Sequence, residues 1–244
     1  MQIDMKQPIL DKNDQLAAQL RKRFADNHVF VLDLLASPGS GKTTTLTRTI
    51  EALAGDLSIG VMEADIDSDV DARAMAATGV TAIQLHTGGM CHLDAVMCRQ
   101  GLAELEAAAE AAGTAPLDLA ILENVGNLVC PAEFDTGASV NVAILSVPEG
   151  DDKPLKYPLM FEVCDVVLVN KMDVAPYFDF DLTRCEENVR LRNPGAKVIP
   201  MSAKTGEGTG AWAAWLRAAV AAWKTGTFEK ATPANSEAPH YPGE

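Results

Sequence analysis

The stretch Ala36-Ser37-Pro38-Gly39-Ser40-Gly41-Lys42-Thr43 constrains this chain more than any other. An apolar run, Val29 to Leu35, precedes it and predicts a buried strand; Thr44 to Leu53 follows it and predicts a helix. A strand feeding a glycine-containing loop and then a helix can turn several backbone N–H groups toward one anion, with the helix dipole behind them. In that setting Gly39, Ser40, Gly41, Lys42, Thr43 and Thr44 are expected to hold a polyphosphate. Lys42 would lie along the β- and γ-phosphates and the Thr43 hydroxyl would ligate Mg²⁺. Ala36 stands where the usual pattern begins with Gly, while Gly39 and Gly41 remain. A flexible Gly/Ser turn is the plain alternative, and Gly-Lys-Thr directly after an apolar strand weighs against it.

The rest of the chain is read around that loop. Further apolar runs predict strands at Leu57 to Glu63, Val80 to His86, Leu117 to Glu123, Val140 to Val147, Asp165 to Val169 and Lys197 to Met201. Helical patterns run from Leu10 to Asn27, from Cys91 to about Ala112, over Pro158 to Val163 and from Trp212 to Trp223. Strands alternating with helices predict an α/β fold: a mostly parallel sheet with helices on both faces and nucleotide at the carboxyl ends of the strands. The expected organisation is an N-terminal helix over 1–27 packed on the domain, a nucleotide-binding domain over 28–224, and an unstructured tail over 225–244. The basic Arg21-Lys22-Arg23 is read as a helix end answering its dipole.

Charge and composition narrow the class. A formal net charge of −14 over 244 residues argues against a nucleic-acid-binding surface, which needs a basic stripe. The first residues lack an apolar signal core and no apolar run is long enough to span a bilayer, so no membrane segment is expected. The five cysteines are an odd number without a secretion signal, so free thiols in a reducing cytoplasm are expected rather than a disulfide framework.

Two carboxylate positions downstream of the loop fit a phosphate-sensing role. Asp65, heading Asp65-Ile66-Asp67-Ser68-Asp69 after the second strand, is the candidate for Mg²⁺ or for orienting the attacking water; Asp67 and Asp69 read as solvated or capping residues. Glu123 closes the fourth strand, where a carboxylate can reach the water shell of Mg²⁺, and Gly126 follows at a spacing that can bring its N–H to a γ-phosphate. Asn170-Lys171-Met172-Asp173 after the sixth strand is a base-reading signal. The Asp173 carboxylate can accept from guanine N1–H and the 2-amino group together, and adenine offers neither in that arrangement. Asn170 would bond the acceptor edge of the base, the Lys171 stem would cover its face, and Ser202-Ala203-Lys204 would supply a backbone N–H for O6. GTP and GDP are therefore expected over the adenine nucleotides.

Cys91, His92 and Cys130 form a third signal. Two thiolates and an imidazole suit Ni²⁺ or Zn²⁺ and disfavour Mg²⁺. Cys91 and His92 are placed at a turn-to-helix junction, where a lowered thiol pKa is expected. Cys98 lies about 10 Å further along the helix and is not expected on the same ion. Cys164 and Cys185 read as core thiols, and His28 and His86 as structural. Cys130 comes four residues after Gly126, so a γ-phosphate sensed at Gly126 would be linked to metal affinity, and linkage is reciprocal. Three ligands leave a fourth position for water, another side chain or a second subunit.

With these pieces in place the sequence resembles the HypB family of GTPases that help insert nickel during maturation of nickel–iron hydrogenases. The matching stretches are Ser37 to Thr44, Gly89-Met90-Cys91-His92-Leu93-Asp94-Ala95, Glu123-Asn124-Val125-Gly126-Asn127-Leu128-Val129-Cys130-Pro131, Glu149 to Pro158, Asn170 to Asp173 and Met201 to Gly206. The resemblance implies a P-loop fold of the SIMIBI type, a homodimer promoted by GTP, and a Ni²⁺/Zn²⁺ site from Cys91, His92 and Cys130 near its interface. It implies that Lys153 approaches nucleotide, from the partner chain. It also implies a companion nickel chaperone and the hydrogenase large-subunit precursor as partners. The sequence has no Cys before Cys91 and only His28 before His86, so a transfer role is expected rather than nickel storage. Without an arginine finger, slow intrinsic turnover is expected. The alternatives are a urease-type nickel-insertion GTPase, disfavoured because that family clusters its ligands as Cys-Pro-His, and a GTP-binding metal buffer or scaffold without meaningful turnover.

Overall fold

The computed structural model describes residues 7–65 and 78–231. Seven strands form one sheet: β1 (Phe30–Ala36), β2 (Ile59–Asp65), β3 (Thr81–His86), β4 (Leu119–Glu123), β5 (Val140–Ser146), β6 (Val166–Asn170) and β7 (Lys197–Pro200). Their order across the sheet is β3-β2-β4-β1-β5-β6-β7, and every neighbouring pair is parallel. The chain builds outward from β1 in one direction as far as β3, then returns through β4 and continues on the other side. The loop after β1 therefore opens at the point where the winding reverses, the place where open α/β sheets bind ligands. All seven residues of β1 are buried, as expected of a central strand covered on both faces.

Alternation along β1 assigns its two faces. Phe30, Leu32 and Leu34 pack with Leu46, Ile50 and Leu53 of α2 (Lys42–Leu53) and with Trp212, Leu216 and Val220 of α8 (Thr209–Lys224). The Trp212 indole N–H, fully buried there, donates to Thr49 Oγ1 at 2.9 Å. On the other face, Val31 meets α1 (Gln7–Asp26) through Ala17, Leu20 and Phe24 and α3 (Ala95–Ala112) through Cys98, Leu102 and Leu105. The same face beyond β5 is covered by α6 (Pro158–Val163) and α7 (Leu182–Arg192). Two single-turn helices, α4 (Cys130–Glu133) and α5 (Lys153–Lys156), lie in the connections after β4 and β5. No helix among the described residues is long and apolar enough to cross a membrane.

Several expectations are corrected. The helix expected to open at Cys91 opens at Ala95, because the Asp94 carboxylate caps it by accepting from Met97 N at 2.8 Å. Cys91 and His92 thus lie on a loop before the helix. The basic run on α1 is held by ion pairs as well as by its helix end: Arg21 clamps both oxygens of Asp135 at 2.6 and 2.8 Å, and Arg23 pairs with Glu106. Residues 225–231, assigned above to the tail, lie against the body, since Phe228 sets its ring edge-on to Phe30 at 5.1 Å and Ala231 N donates to Asp165 at 2.8 Å. One half-buried aromatic side chain packed against the sheet outweighs the polar composition around it. The remainder of the expected tail, 232–244, and residues 1–6 lie outside the described residues.

β1 also carries a buried charge that patterning did not flag. Asp33 is 2% exposed and accepts from Thr136 Oγ1 at 2.9 Å and from Asn124 Nδ2 at 3.2 and 3.3 Å. Burial pushes its carboxyl up from 3.8 to about 6, against the pull of those two donors. Below about pH 4 the side chain is protonated in both folded and unfolded chains. Between that point and pH 6 only the folded chain keeps the proton, so this group's stabilising contribution is lost as pH rises. The expected loss is about 3 kcal/mol. Denaturant unfolding of wild type and Asp33→Asn at pH 4 and pH 7 checks it: the stability difference between them should shift in the variant's favour at pH 7.

Candidate functional site

The loop between β1 and α2 is shaped by its glycines. Gly41, the residue before α2, has φ 100°, and a Cβ placed on it would sit 2.5 Å from Asn170 Nδ2. Only glycine gives the backbone that turn and lets the β6 loop approach so closely. Ser40 beside it is 1% exposed, and its hydroxyl has no hydrogen-bond partner among the described residues. Lys42 opens α2, followed by Thr43 and Thr44 in its first turn.

The Asn170-Lys171-Met172-Asp173 loop is fastened to this one. Asn170 Nδ2 donates to the Ser40 carbonyl at 2.9 Å and to Thr45 Oγ1 at 3.4 Å, and Asn170 Oδ1 accepts from Ala203 N at 3.0 Å. Its amide is therefore spent within the protein, at 2% exposure, and braces three loops instead of facing the edge of a base as expected. Lys171 takes a left-handed backbone (φ 64°) and donates to the Gly39 carbonyl at 2.6 Å, which lays its stem along the loop. Asp173 accepts from Ser202 Oγ at 2.7 Å, which orients the carboxylate against the Ser202-Ala203-Lys204 turn.

The segment after β4 meets the loop from the other side of β1. Glu123, 5% exposed, ends β4 in register with Leu34 of β1 and with Glu63 of β2, itself 3% exposed. A Cβ on Gly126 would lie 3.2 Å from Lys42 Nζ and 3.3 Å from Pro38 Cγ, so the backbone of this segment rests on the loop lysine. Asp65 closes β2, but its side chain and residues 66–77 lie outside the described residues. On the opposite flank Glu149 takes the Ser37 hydroxyl on one oxygen and Ser146 N and Oγ, at 2.8 and 2.7 Å, on the other. Lys153 lies 3.9 Å from Glu149 and 4.8 Å above the Tyr157 ring, one carboxylate away from the loop of its own chain.

The thiol and imidazole groups separated in sequence come together. The ligand atoms of Cys91, His92 and Cys130 lie within 4.8 Å of one another, with Cys91 Sγ 3.9 Å from His92 Nδ1. Phe134 stacks on the His92 ring at 3.9 Å and 18°, and Asn127 Nδ2 donates to the Cys91 carbonyl at 3.4 Å. Burial holds the His92 pKa below its ordinary value, against Asp94 and Glu133, which keeps the ring neutral and able to ligate. The Cys91 thiol is pushed up, not down as expected: Cys130 hydrogen-bonds and faces it, burial adds to this, and no helix N-terminus stands behind it. Cys130 facing it raises the cost of ionising Cys91, and a soft divalent cation bound between them would remove that cost. Cys98, fully buried in α3, is not among the three. Met90 and Val129, each preceding a cysteine of the trio, are exposed.

A model of the CobW/HypB/UreG nucleotide-binding domain matches residues 30–200, which span β1 to β7. The hydrogenase maturation factor HypB of Azotobacter vinelandii is 51% identical over 212 residues, covering 87% of this chain and 68% of that protein. The chain belongs to the HypB family. The crystal structure of HypB from Helicobacter pylori in complex with nickel matches at TM-score 0.80 and 36% identity, over 89% of this chain and 98% of that one. HypB from Archaeoglobus fulgidus matches at TM-score 0.77 and 35% identity, over 86% and 100%. The fold is accordingly the P-loop architecture of the SIMIBI type. In this HypB-family chain, sequence reasoning missed Glu63, Asn124, Phe134 and Glu149. Glu149 and Asn124 lie inside stretches already singled out, next to residues that drew the attention. Nothing in the sequence marks Phe134, whose ring reaches His92 only because α4 turns the chain after Cys130.

Proposed function

We propose that this protein is a GTP-hydrolysing metallochaperone that delivers nickel during hydrogenase maturation, with nucleotide state, metal affinity and dimerisation linked. One observation carries the reading: Gly126, whose backbone rests on Lys42, and Cys130, a member of the Cys/His trio, belong to one short segment that leaves β4 and opens α4. The reaction is GTP plus water to GDP plus phosphate. The donor set fits nucleotide with Mg²⁺: Lys42 and the N–H groups of residues 39–44 on the phosphates, Thr43, Glu123 and Asp65 toward the cation, and Asp65 at the attacking water. Bound Mg²⁺ would supply charge neutralisation between the β- and γ-phosphates. Asp173 reads guanine from its seat on Ser202, the Lys171 stem covers the base, and the 202–204 turn closes over O6. Asn170 serves by bracing these loops.

Nickel is the cargo, held by Cys91, His92 and Cys130 with one position open. An open soft-ligand site suits transfer better than storage. The exposed Met90 and Val129 support a second copy of the chain approaching at this edge once GTP is bound. In that dimer Lys153 would leave Glu149 for the partner's nucleotide. Arg48, the arginine nearest the loop in sequence, is committed to the Ala203 carbonyl and Glu51, which supports slow intrinsic turnover. The companion chaperone and hydrogenase precursor are the partners this role requires.

The test is a calorimetric titration of Ni²⁺ into the protein loaded with GDP or with a non-hydrolysable GTP analogue. The expected result is one site per chain whose Kd differs between the two states by at least about 5-fold. Equal affinities would refute the linkage.

A further inference from the structure

Asn124 is fully buried at the point where the nucleotide and metal segments meet. Its Oδ1 accepts two backbone N–H groups. Val125 donates at 2.9 Å, one residue before Gly126, and Leu93 donates at 3.2 Å, one residue after His92. Its Nδ2 donates to both oxygens of Asp33, at 3.2 and 3.3 Å, in the middle of the central strand. The other side of that carboxylate takes the Thr136 hydroxyl at 2.9 Å, just beyond the segment that carries Cys130 and Phe134. Asn124 N also donates to the Leu34 carbonyl at 3.1 Å, so its own backbone is fixed to β1.

We propose that Asn124 is the positioning residue that transmits nucleotide state to the metal site, with Asp33 as its fixed partner. This rests on the linkage proposed above. The physical ground is the cost of an orphaned buried amide. One oxygen serves both N–H groups, so a pull on Val125 from a phosphate at Gly126 cannot be absorbed by Asn124 without loosening Leu93. The central strand is paired on both sides and is the least movable part of the sheet. Motion is therefore passed to the Cys91-His92 loop on one arm, while the Thr136 arm holds the Cys130 segment to the same carboxylate. Change in the spacing between the two ligand-bearing segments is the quantity a three-ligand site reads as affinity.

Three variants test this by Ni²⁺ titration in the GDP and GTP-analogue states, with GDP affinity and nickel stoichiometry measured alongside. Asn124→Ala should bind GDP and one nickel per chain yet show a ratio of nickel Kd values between states of about 1, where wild type shows about 5-fold or more. Thr136→Val, isosteric and without the hydroxyl donor, should reduce the ratio while leaving both ligand-bearing loops intact, and it serves if the alanine variant fails to fold. The exchange Asp33→Asn with Asn124→Asp keeps the acceptor for Leu93 N and Val125 N at position 124, the acceptor for Thr136 at position 33 and one of the two hydrogen bonds between positions 33 and 124, its direction reversed, and should recover part of the wild-type ratio. A purely structural role would move stoichiometry or GDP affinity and would leave the ratio unchanged. A wild-type ratio in both Asn124→Ala and Thr136→Val, or in Thr136→Val alone if only it folds, overturns this inference and leaves the proposed function standing. A ratio of 1 in wild type overturns both.

Discussion

Replacing Lys42 by alanine is expected to cut GTP hydrolysis by about 10²–10³-fold, equivalent to ~3–4 kcal/mol of transition-state stabilisation. Phosphoryl transfer asks little covalent chemistry of the protein, so its contribution is placed charge, and Lys42 supplies the full positive charge of the loop. The same side chain lies against the segment after β4: its Nζ would lie 3.2 Å from a Cβ on Gly126. Its loss therefore removes charge from the phosphates and support from the segment leading to Cys130. Nickel affinity in the GDP state should stay near the wild-type value, because the Asn124 and Asn127 bonds that set the Cys91-His92 loop remain. Nickel affinity in the analogue state should move toward the GDP value. Phosphate release under single-turnover conditions with excess protein reads the first effect, and paired nickel titrations read the second. Unchanged phosphate release in Lys42→Ala would leave a nucleotide-binding metal scaffold as the better account.

The loop architecture was legible in the sequence because each strand is a short apolar run with its chemistry at the carboxyl end, where parallel sheets place it. That rule located Lys42, Glu123, Gly126, Asp173 and the order in which they occur. It failed where a side chain turns inward. The motif order leads one to expect Asn170 at a base, yet its amide is used by Ser40, Thr45 and Ala203, contacts between chain segments more than 30 residues apart. The start of α3 differs for a local reason: the helical pattern takes in Cys91 and His92 directly after the Gly88-Gly89 turn, although Asp94 is the better cap. Asp33 escaped notice because a single charge in an apolar run is ordinarily a strand edge, and its partners Asn124 and Thr136 lie 91 and 103 residues away. The trio itself was found by residue type. Its geometry was invisible, since nothing in the sequence tells that the Cys91 loop and the Cys130 turn face each other across one small gap.

Cys130→Ala is expected to weaken nickel binding by more than about 100-fold, beyond the ~10–100-fold that removing a hydrogen-bond partner behind a ligand costs. Cys91 and His92 are neighbours in one loop and span only one edge of the site, so the third ligand closes it. Two causes of a weaker site can be separated here. Cys130 is the largest cause of the raised Cys91 pKa, first as a hydrogen-bond partner and then through its charge. Its removal lowers that pKa toward the ordinary 9.0 and leaves more Cys91 thiolate at neutral pH. Alkylation of Cys91 in the metal-free variant should therefore speed up while nickel affinity falls. If loss of affinity came from poorer thiolate supply, the two would fall together. The variant should also bind nickel equally in the GDP and GTP-analogue states, because with ligands on one loop alone there is no spacing between two segments for the site to read. Wild-type nickel affinity in Cys130→Ala would remove the trio as the cargo site, and with it the physical route by which hydrolysis could release a metal.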